Sequence, residues 1–536
     1  MFRTTCLVLA VAAACSDLAA QSNSRGPGYN GGLTDVGDAR AWGRRGAAYP
    51  GGEVGVSFRN TLCNPGSIPI EWQSAGTSTT AQMLEDHPKF SFLVAREING
   101  RFVQISDWSY CKHAFLSTNS PGCGSCVQPP ASGAQLGVGC SDVYSNSNNG
   151  SRVWLGPPAE INPWLGTWSH VNSYFDAGDP AVGGPGSSDG VRSSWYAGAD
   201  EVRNRVTIRE ADVGPGLVFQ IQVIHEGEPV TNRGDNIMSR PFSLSYNAGS
   251  GVWGANTTGS STYGTLLSRW NGATVTTGQN GNDDGRFAIA VKVTGPTNGM
   301  WHYEYVVHNI DNFRGGASFT VPLCSAATVQ NVGFRDIDQN ALNDWTFSRN
   351  GNEASWTAPG GNAHRWNQLF NFWFDCNVAP NGGNATITQA DIGPGALTFP
   401  VATTVPGFLP TLVVPGGCGT PSCTLSADGL PTTGNPNFAL RIETDPITPF
   451  IVLFSLPGVD FPITPQCHIL IDLFAYGDFG IMVTDPAGVA PIVTPVDPTW
   501  PDIQFQAATF IPNPPLFGLL GLSNGLNVRY NGSNCP

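Results

Sequence analysis

The chain alternates apolar and polar residues with a period of two over much of its length, most clearly between Arg286 and Asp375. In Trp301-His302-Tyr303-Glu304-Tyr305-Val306-Val307-His308, the odd positions carry Trp301, Tyr303, Tyr305 and Val307. The even positions carry His302, Glu304, Val306 and His308. Successive side chains of a strand point to opposite faces, so this pattern predicts a strand with its aromatic face inward. Phe287, Ile289, Val291 and Val293 alternate with small or polar neighbours upstream, and Phe370, Phe372 and Phe374 do so downstream. Gly295 to Gly299 between the first two runs has turn chemistry. Phe90 to Ser106 reads as a hairpin around Asn99-Gly100, the pair favoured in a type I′ turn. Glu53–Phe58, Ile68–Trp72 and Arg203–His225 are further strand candidates, whereas 21–50 reads as an irregular lead-in. From Trp108 to about Pro185 the periodicity fades, as in a long functional loop. Pro400–Pro421 reads as a linker, and short apolar strands resume from Phe438 to the end.

These patterns predict an all-β protein of antiparallel β-sandwiches. Residues 21–399 form a large region with a long irregular, disulfide-containing insertion. It is read either as one body or as two packed sandwiches of about 50–225 and 226–399. Residues 400–421 are the linker and 422–536 a smaller C-terminal sandwich. Thr207–Gly216 (TIREADVGPG) is echoed by Thr386–Gly395 (TITQADIGPG) at an offset of 386 − 207 = 179 residues. One echo suits either a reused turn or an internal duplication.

Composition adds the compartment. Residues 1–20 read as an export signal: Arg3, an apolar run from Leu7 to Ala14, and Leu18-Ala19-Ala20 before the cut. An alternative reading makes Cys15 a lipid anchor. The apolar run is too short to span a bilayer, and no later segment qualifies. Removal of Cys6 and Cys15 leaves eleven of the thirteen cysteines, an odd number whose majority is expected in disulfides. Candidates are Cys111, Cys123, Cys126 and Cys140 in the insertion, and Cys418, Cys423, Cys467 and Cys535 near the end. Charged residues make up only 12% and the formal net charge is −14, which argues against a nucleic acid as partner.

The candidate chemistry is sparse. His302, Glu304 and His308 share a strand face, with residues two apart separated by about 7 Å. A metal or proton-transfer site joining His302 and Glu304 and a plain wet outer face both fit. Asp336, Asp338, Asn340 and Asp344 have calcium-loop oxygen spacing, but the glycine at the sixth position and the Glu at the twelfth are missing. A structural Ca²⁺ or an Asx-rich turn fits, and no other cofactor is expected. Zinc on the insertion cysteines is the weaker alternative to disulfides. Signatures for a serine nucleophile, a zinc protease or a phosphate loop are absent. His113, Asp142 and Glu160 in the insertion are the catalytic candidates if the chain is an enzyme. Trp154, Trp164 and Trp168 are either a sugar-stacking surface or the plug of that loop.

The strings KHAFLSTN, LGVGCSDVYS, WHYEYVVHN, VGFRDID and RWNQLFNFWFD resemble a group of uncharacterised secreted bacterial β-rich proteins. The ending LGLSNGLNVRYN resembles a module found at the ends of such exported chains. The resemblance implies export and a β-rich fold and transfers no catalytic residue. Taken together, the expectation is a secreted or cell-surface protein with a binding or structural role and an extracellular glycan or surface component as partner. The alternative is a polysaccharide hydrolase or lyase with its site in 108–185.

Overall fold

The computed structural model describes residues 21–72, 83–131, 133–178, 188–192, 200–324, 327–338, 340–407, 411–428, 431, 438–494, 496, 500–511 and 520–528. The export signal, Cys15 and Cys535 lie outside the described residues. Every strand pair is antiparallel, and the only α-helices are the single turns Asn146–Asn149 and Tyr174–Ala177 among the described residues.

The first sandwich pairs a five-stranded sheet with an eight-stranded one. The five-stranded sheet contains Gly32–Gly46, Gly52–Cys63, Cys140–Tyr144, Ser120–Pro121 and Val206–Arg209. The eight-stranded sheet is built on Lys89–Ile98, Leu217–Ile224 and Ile237–Asn247. Between them Val54, Val56 and Phe58 meet Phe90, Phe92, Val94, Phe219 and Ile221. Two sequence expectations change here. The lead-in contains a fifteen-residue strand, Gly32–Gly46. Its register against Gly52–Cys63 shifts three times, so bulges hide its alternation. The sandwich also continues past 225, because Ile237–Asn247 pairs with both Leu217–Gln222 and Val252–Thr257.

The second sandwich packs Thr274–Gln279, Arg286–Thr297, Met300–Asn309, Gln368–Cys376 and Val329–Arg335 against a second five-stranded sheet. That second sheet contains Gly316–Pro322, Thr346–Asn350, Glu353–Thr357, Pro380–Gln389 and Thr398–Pro406. The aromatic stripe Tyr303, Tyr305, Phe370, Phe372 and Phe374 fills its core with Phe319 and Trp356. Both hairpin turns form as the sequence demands. Asn99 and Gly100 have φ of 52° and 85°, and Asn298 and Gly299 have 51° and 78°, the left-handed conformations of a type I′ turn.

The two sandwiches stack sheet on sheet. Leu93, Ala95, Phe102, Val218 and Ile237 from the first meet Ala288, Ala290, Val306 and Leu369 from the second, with Leu266, Leu267 and Trp270 closing the contact. Alanine on the facing strand lets the sheets approach closely. Lys89–Ile98 therefore has both faces covered and is buried from Lys89 to Ala95, which explains its unbroken apolar run.

Half of the stretch 400–421 is strand: Thr398–Pro406 ends the second sandwich and Thr411–Val414 opens the third. The C-terminal sandwich sets a five-stranded sheet ordered 411–414, 521–528, 503–509, 449–455 and 477–483 against a three-stranded one. Phe438, Leu440, Phe450, Val452, Phe505 and Leu526 form its core.

Disulfides join Cys63 to Cys123, Cys126 to Cys140 and Cys418 to Cys467. Cys111 and Cys423, both disulfide candidates, are instead buried free thiols, as is Cys376. Cys123 pairs outside the insertion, with the strand cysteine Cys63.

The echoed segments are not equivalent in the fold. Thr207–Arg209 ends a strand after which the chain crosses to the other sheet at Leu217. Thr386–Gln389 ends a strand that turns back as a hairpin with Thr398–Pro406 in the same sheet.

Candidate functional site

A groove runs along the junction of the two N-terminal sandwiches. Its floor is a cross-strand pair, Glu53 at the start of Gly52–Cys63 and Arg209 at the end of Val206–Arg209. Ile105, Asp107 and Trp108, on the chain leaving strand Arg101–Gln104, form one wall. Ile337 and Asp338 of the second sandwich form the other. This part encloses about 240 Å³. A second hollow of about 340 Å³, lined by Arg45, Gly46, Pro50 to Gly52 and Ala211, shares Glu53 and Arg209 with it.

The groove is held from behind. Glu210 receives Arg44 through two bonds of 2.6 and 2.7 Å, Trp253 Nε1 at 3.0 Å and the Gly52 amide at 3.0 Å. The Arg44 bonds hold its carboxyl down at about 2. Asp107 Oδ1 accepts the Thr207 amide at 3.0 Å and the Ser109 hydroxyl at 2.7 Å. Desolvation of the carboxyl, and then the Glu53 charge, push Asp107 upward, although the residue as a whole is exposed. Trp108 is oriented by its Nε1 bond of 2.8 Å to the Trp366 carbonyl. Arg209 bonds Asp212 at 2.8 Å, and Glu53 receives Arg45 at 2.7 Å. The result is an indole flanked by carboxylates and guanidinium groups, chemistry suited to a hydroxyl-rich ligand with an apolar face.

The residues singled out from sequence fall elsewhere. His113 is 1% exposed, with Nδ1 2.7 Å from His87 Nε2 and its ring 4.9 Å from those of Trp168 and Phe175. Burial drives both histidines well below their ordinary range. Glu160 meets the same aromatic cluster, accepting Trp168 Nε1 at 3.2 Å and the Tyr174 amide at 2.8 Å. Asp142 lies on the five-stranded sheet, capping the Thr118 amide and hydroxyl. The three do not share one site.

Trp164 and Trp168 are 3% and 4% exposed, so neither offers a stacking surface. Trp154 is covered by Arg192, 3.7 Å from its ring, and by Phe115, 5.2 Å away. Trp168 packs with Ile161, Tyr174 and Phe175 in the insertion's own core, and Trp154 is half-buried.

His302, Glu304 and His308 share a strand face, which is covered at Glu304 and His308 but leaves His302 partly exposed. His302 Nδ1 lies 2.6 Å from Asp375 and Nε2 lies 3.3 Å from Glu304. Glu304 is claimed by Arg101. His308 is buried, and its ring is pushed down to about 3 by desolvation. The face is a joint between domains.

Three of the calcium candidates already accept hydrogen bonds from protein groups. Asp336 accepts from the Asp338 amide and Asn362, and Asp338 from the Asn340 amide and Asn343. Asn340 accepts the Leu342 amide, and no group of three metal-binding side chains that includes Asp344 occurs among the described residues. Likewise, the insertion cysteines are bonded or buried apart, leaving no zinc cluster among the described residues.

Glu53, Asp107, Trp108 and Arg209 were not among the sequence candidates. One signal existed: of the three positions where the echoed segments differ, two are charged in the first, Arg209 and Glu210, against Thr388 and Gln389 in the second, and the third exchanges Val213 for Ile392.

The sheets and their staples define a class: an all-antiparallel, disulfide-bearing β-sandwich protein. No protein-family model and no curated relative matches the chain. Among solved structures it is similar to a variant of BcpA, the major pilin subunit of Bacillus cereus, at 10% identity and a TM-score of 0.16. That match covers 65% of this chain and 89% of the pilin. It is also similar to Escherichia coli alpha-2-macroglobulin activated by porcine elastase, at 6% identity and a TM-score of 0.14. This second match covers 92% of this chain and 35% of that one, so the chain spans about a third of the macroglobulin. Superpositions this loose carry no argument about fold or function. No described helix is long and apolar enough to cross a membrane.

Proposed function

We propose that this protein is exported and works outside the cell by binding an extracellular glycan in the groove between its first two sandwiches. The observation that carries this reading is the gathering of Trp108, Glu53, Asp107 and Arg209 around one hollow. An indole covers the C–H face of a sugar ring, and carboxylates and guanidinium groups meet its hydroxyls. The disulfides support an oxidising destination, as does the resemblance of several strings to secreted bacterial proteins. Retention of the purified chain on insoluble polysaccharides tests the reading. Trp108→Ala and Glu53→Gln should each lower retention about tenfold. Retention unchanged in both variants, or none on any glycan, refutes it.

A second reading, glycan hydrolysis, is favoured by one observation: Asp107, raised toward neutrality, shares the hollow with Glu53. Two carboxyl groups facing one hollow are the pair that acid–base cleavage of a glycosidic bond uses. Release of reducing ends by the wild type and its loss in Asp107→Asn would establish that reading. Retention without release leaves binding as the function.

A further inference from the structure

The C-terminal sandwich carries a surface unlike the rest of the molecule. Strand Gly477–Val483 is the outer strand of its five-stranded sheet, paired on one side with Pro449–Ser455. No strand among the described residues pairs with its other side. Its sequence, GDFGIMV, contains no lysine, arginine or proline, and its guards are Asp478 and one register shift against Pro449–Ser455. Ile481 and Val483 are 69% and 51% exposed, and Phe474 just before the strand is fully exposed. Beside this edge, Phe454, Phe479, Trp500, Pro501, Ile503 and Phe505 line an apolar hollow of about 300 Å³. Exposed apolar surface of this kind, next to unpaired backbone, marks an interaction site.

Charge identifies the occupant. Between residue 411 and the end there are nine carboxylates against two arginines, Arg441 and Arg529, and one histidine, His468, which pairs with Asp460. Arg441 is engaged by Glu443 at 2.6 Å and Asp428 at 3.6 Å. Asp472, Asp478 and Asp485 sit before, within and after the edge strand, and none pairs with a cation among the described residues. A second copy would set these aspartates against their like. An anionic lipid surface would meet the same repulsion.

We propose that this edge binds an extended segment of a partner polypeptide, apolar in its middle and flanked by lysine or arginine. The segment adds a sixth strand to the sheet through main-chain hydrogen bonds. One apolar side chain enters the hollow at Phe479, and the basic flanks meet Asp472 and Asp485. This site is separate from the glycan groove and does not depend on it.

The test uses the full chain and a short fluorescent peptide of alternating Val and Thr, with a central Phe and a Lys at each end. Two controls replace the lysines by glutamates, or alternate threonines by prolines, which removes the main-chain donors. The lysine peptide should bind at least about tenfold more tightly than either control, and added salt should weaken it. Ile481→Lys, at an exposed position that folding does not need, should weaken it by a similar factor with an unchanged melting temperature. Exchange of Asp472 and Asp485 for lysine should reverse the preference between flanks. Equal binding of all three peptides, or binding of none, overturns the proposal. So does concentration-dependent dimerisation of the chain that Ile481→Lys abolishes, since the edge would then belong to a second copy.

Discussion

Arg101 and Glu304 lie 203 positions apart in the chain and meet in a two-pronged ion pair, with Nε to Oε1 at 2.6 Å and Nη2 to Oε2 at 2.8 Å. Arg101 stands at the tip of the first sandwich's hairpin and Glu304 in the middle of the second sandwich's central strand. The guanidinium also lies 3.3 Å from the Trp373 ring. The pair, Lys292 with Glu97 at 3.6 Å, and the bonds from Asn371 to the Phe102 carbonyl and from Asn367 to the Phe92 carbonyl fix how the two bodies dock.

Truncation of Arg101 leaves Glu304 charged at 5% exposure. Arg101→Ala should therefore lower the stability of the N-terminal pair of sandwiches by about 2–3 kcal/mol, below the full figure for a buried pair because Arg101 is partly solvated. Denaturant titration measures this. The double variant with Glu304→Gln should lose less than the sum of the two single changes.

Two opposing pH effects should appear. His302 is raised above its ordinary value, first by its bond to Glu304 and then by Asp375, against some desolvation. A histidine raised on folding contributes stability that is fully present below about pH 6.5 and is lost as pH rises through the folded value. His302→Gln should flatten the decline in melting temperature on the alkaline side. Burial depresses His225, His308 and His364 to about 3, and His87 and His113 also fall. These stay neutral when folded, so stability should fall steeply below about pH 6.5, where the unfolded chain takes up their protons. A melting profile without an acid limb would contradict this burial.

The Cys126–Cys140 bridge spans 14 positions and holds a segment with little regular strand. Replacement of both cysteines by serine should cost about 3 kcal/mol if loop closure dominates. Limited proteolysis should then cut between them before any other part of the first sandwich.

Chelation should leave the protein unchanged. The Asp336 and Asp338 oxygens already accept from amides of their own turn and from the side chains of Asn343 and Asn362. Addition of EDTA to the purified chain should not shift its melting temperature, and a clear drop would mean that a cation reorganises this turn.

Much of the strand structure was legible because it is written locally. Tyr303, Tyr305 and Val307 announce their strand by spacing, and Asn99-Gly100 and Asn298-Gly299 announce their turns by backbone preference. Where the local signal was diluted, reading failed for a physical reason. Gly32–Gly46 hid behind three register shifts, and 400–421 looked like a linker although half of it pairs in sheets.

By itself the sequence determined an all-antiparallel protein rich in turns and staples, since period, turn chemistry and cysteine content depend only on near neighbours. Tertiary structure alone decided that neither face of the Met300–Asn309 strand meets water from Tyr303 onward, that Trp164 and Trp168 of the insertion are packed away, and that Glu53, Asp107 and Arg209 share one groove. Those outcomes depend on contacts between residues far apart in the chain, such as Arg209 with Asp338 of the second sandwich. Only the docking of one sandwich on another brings such residues together.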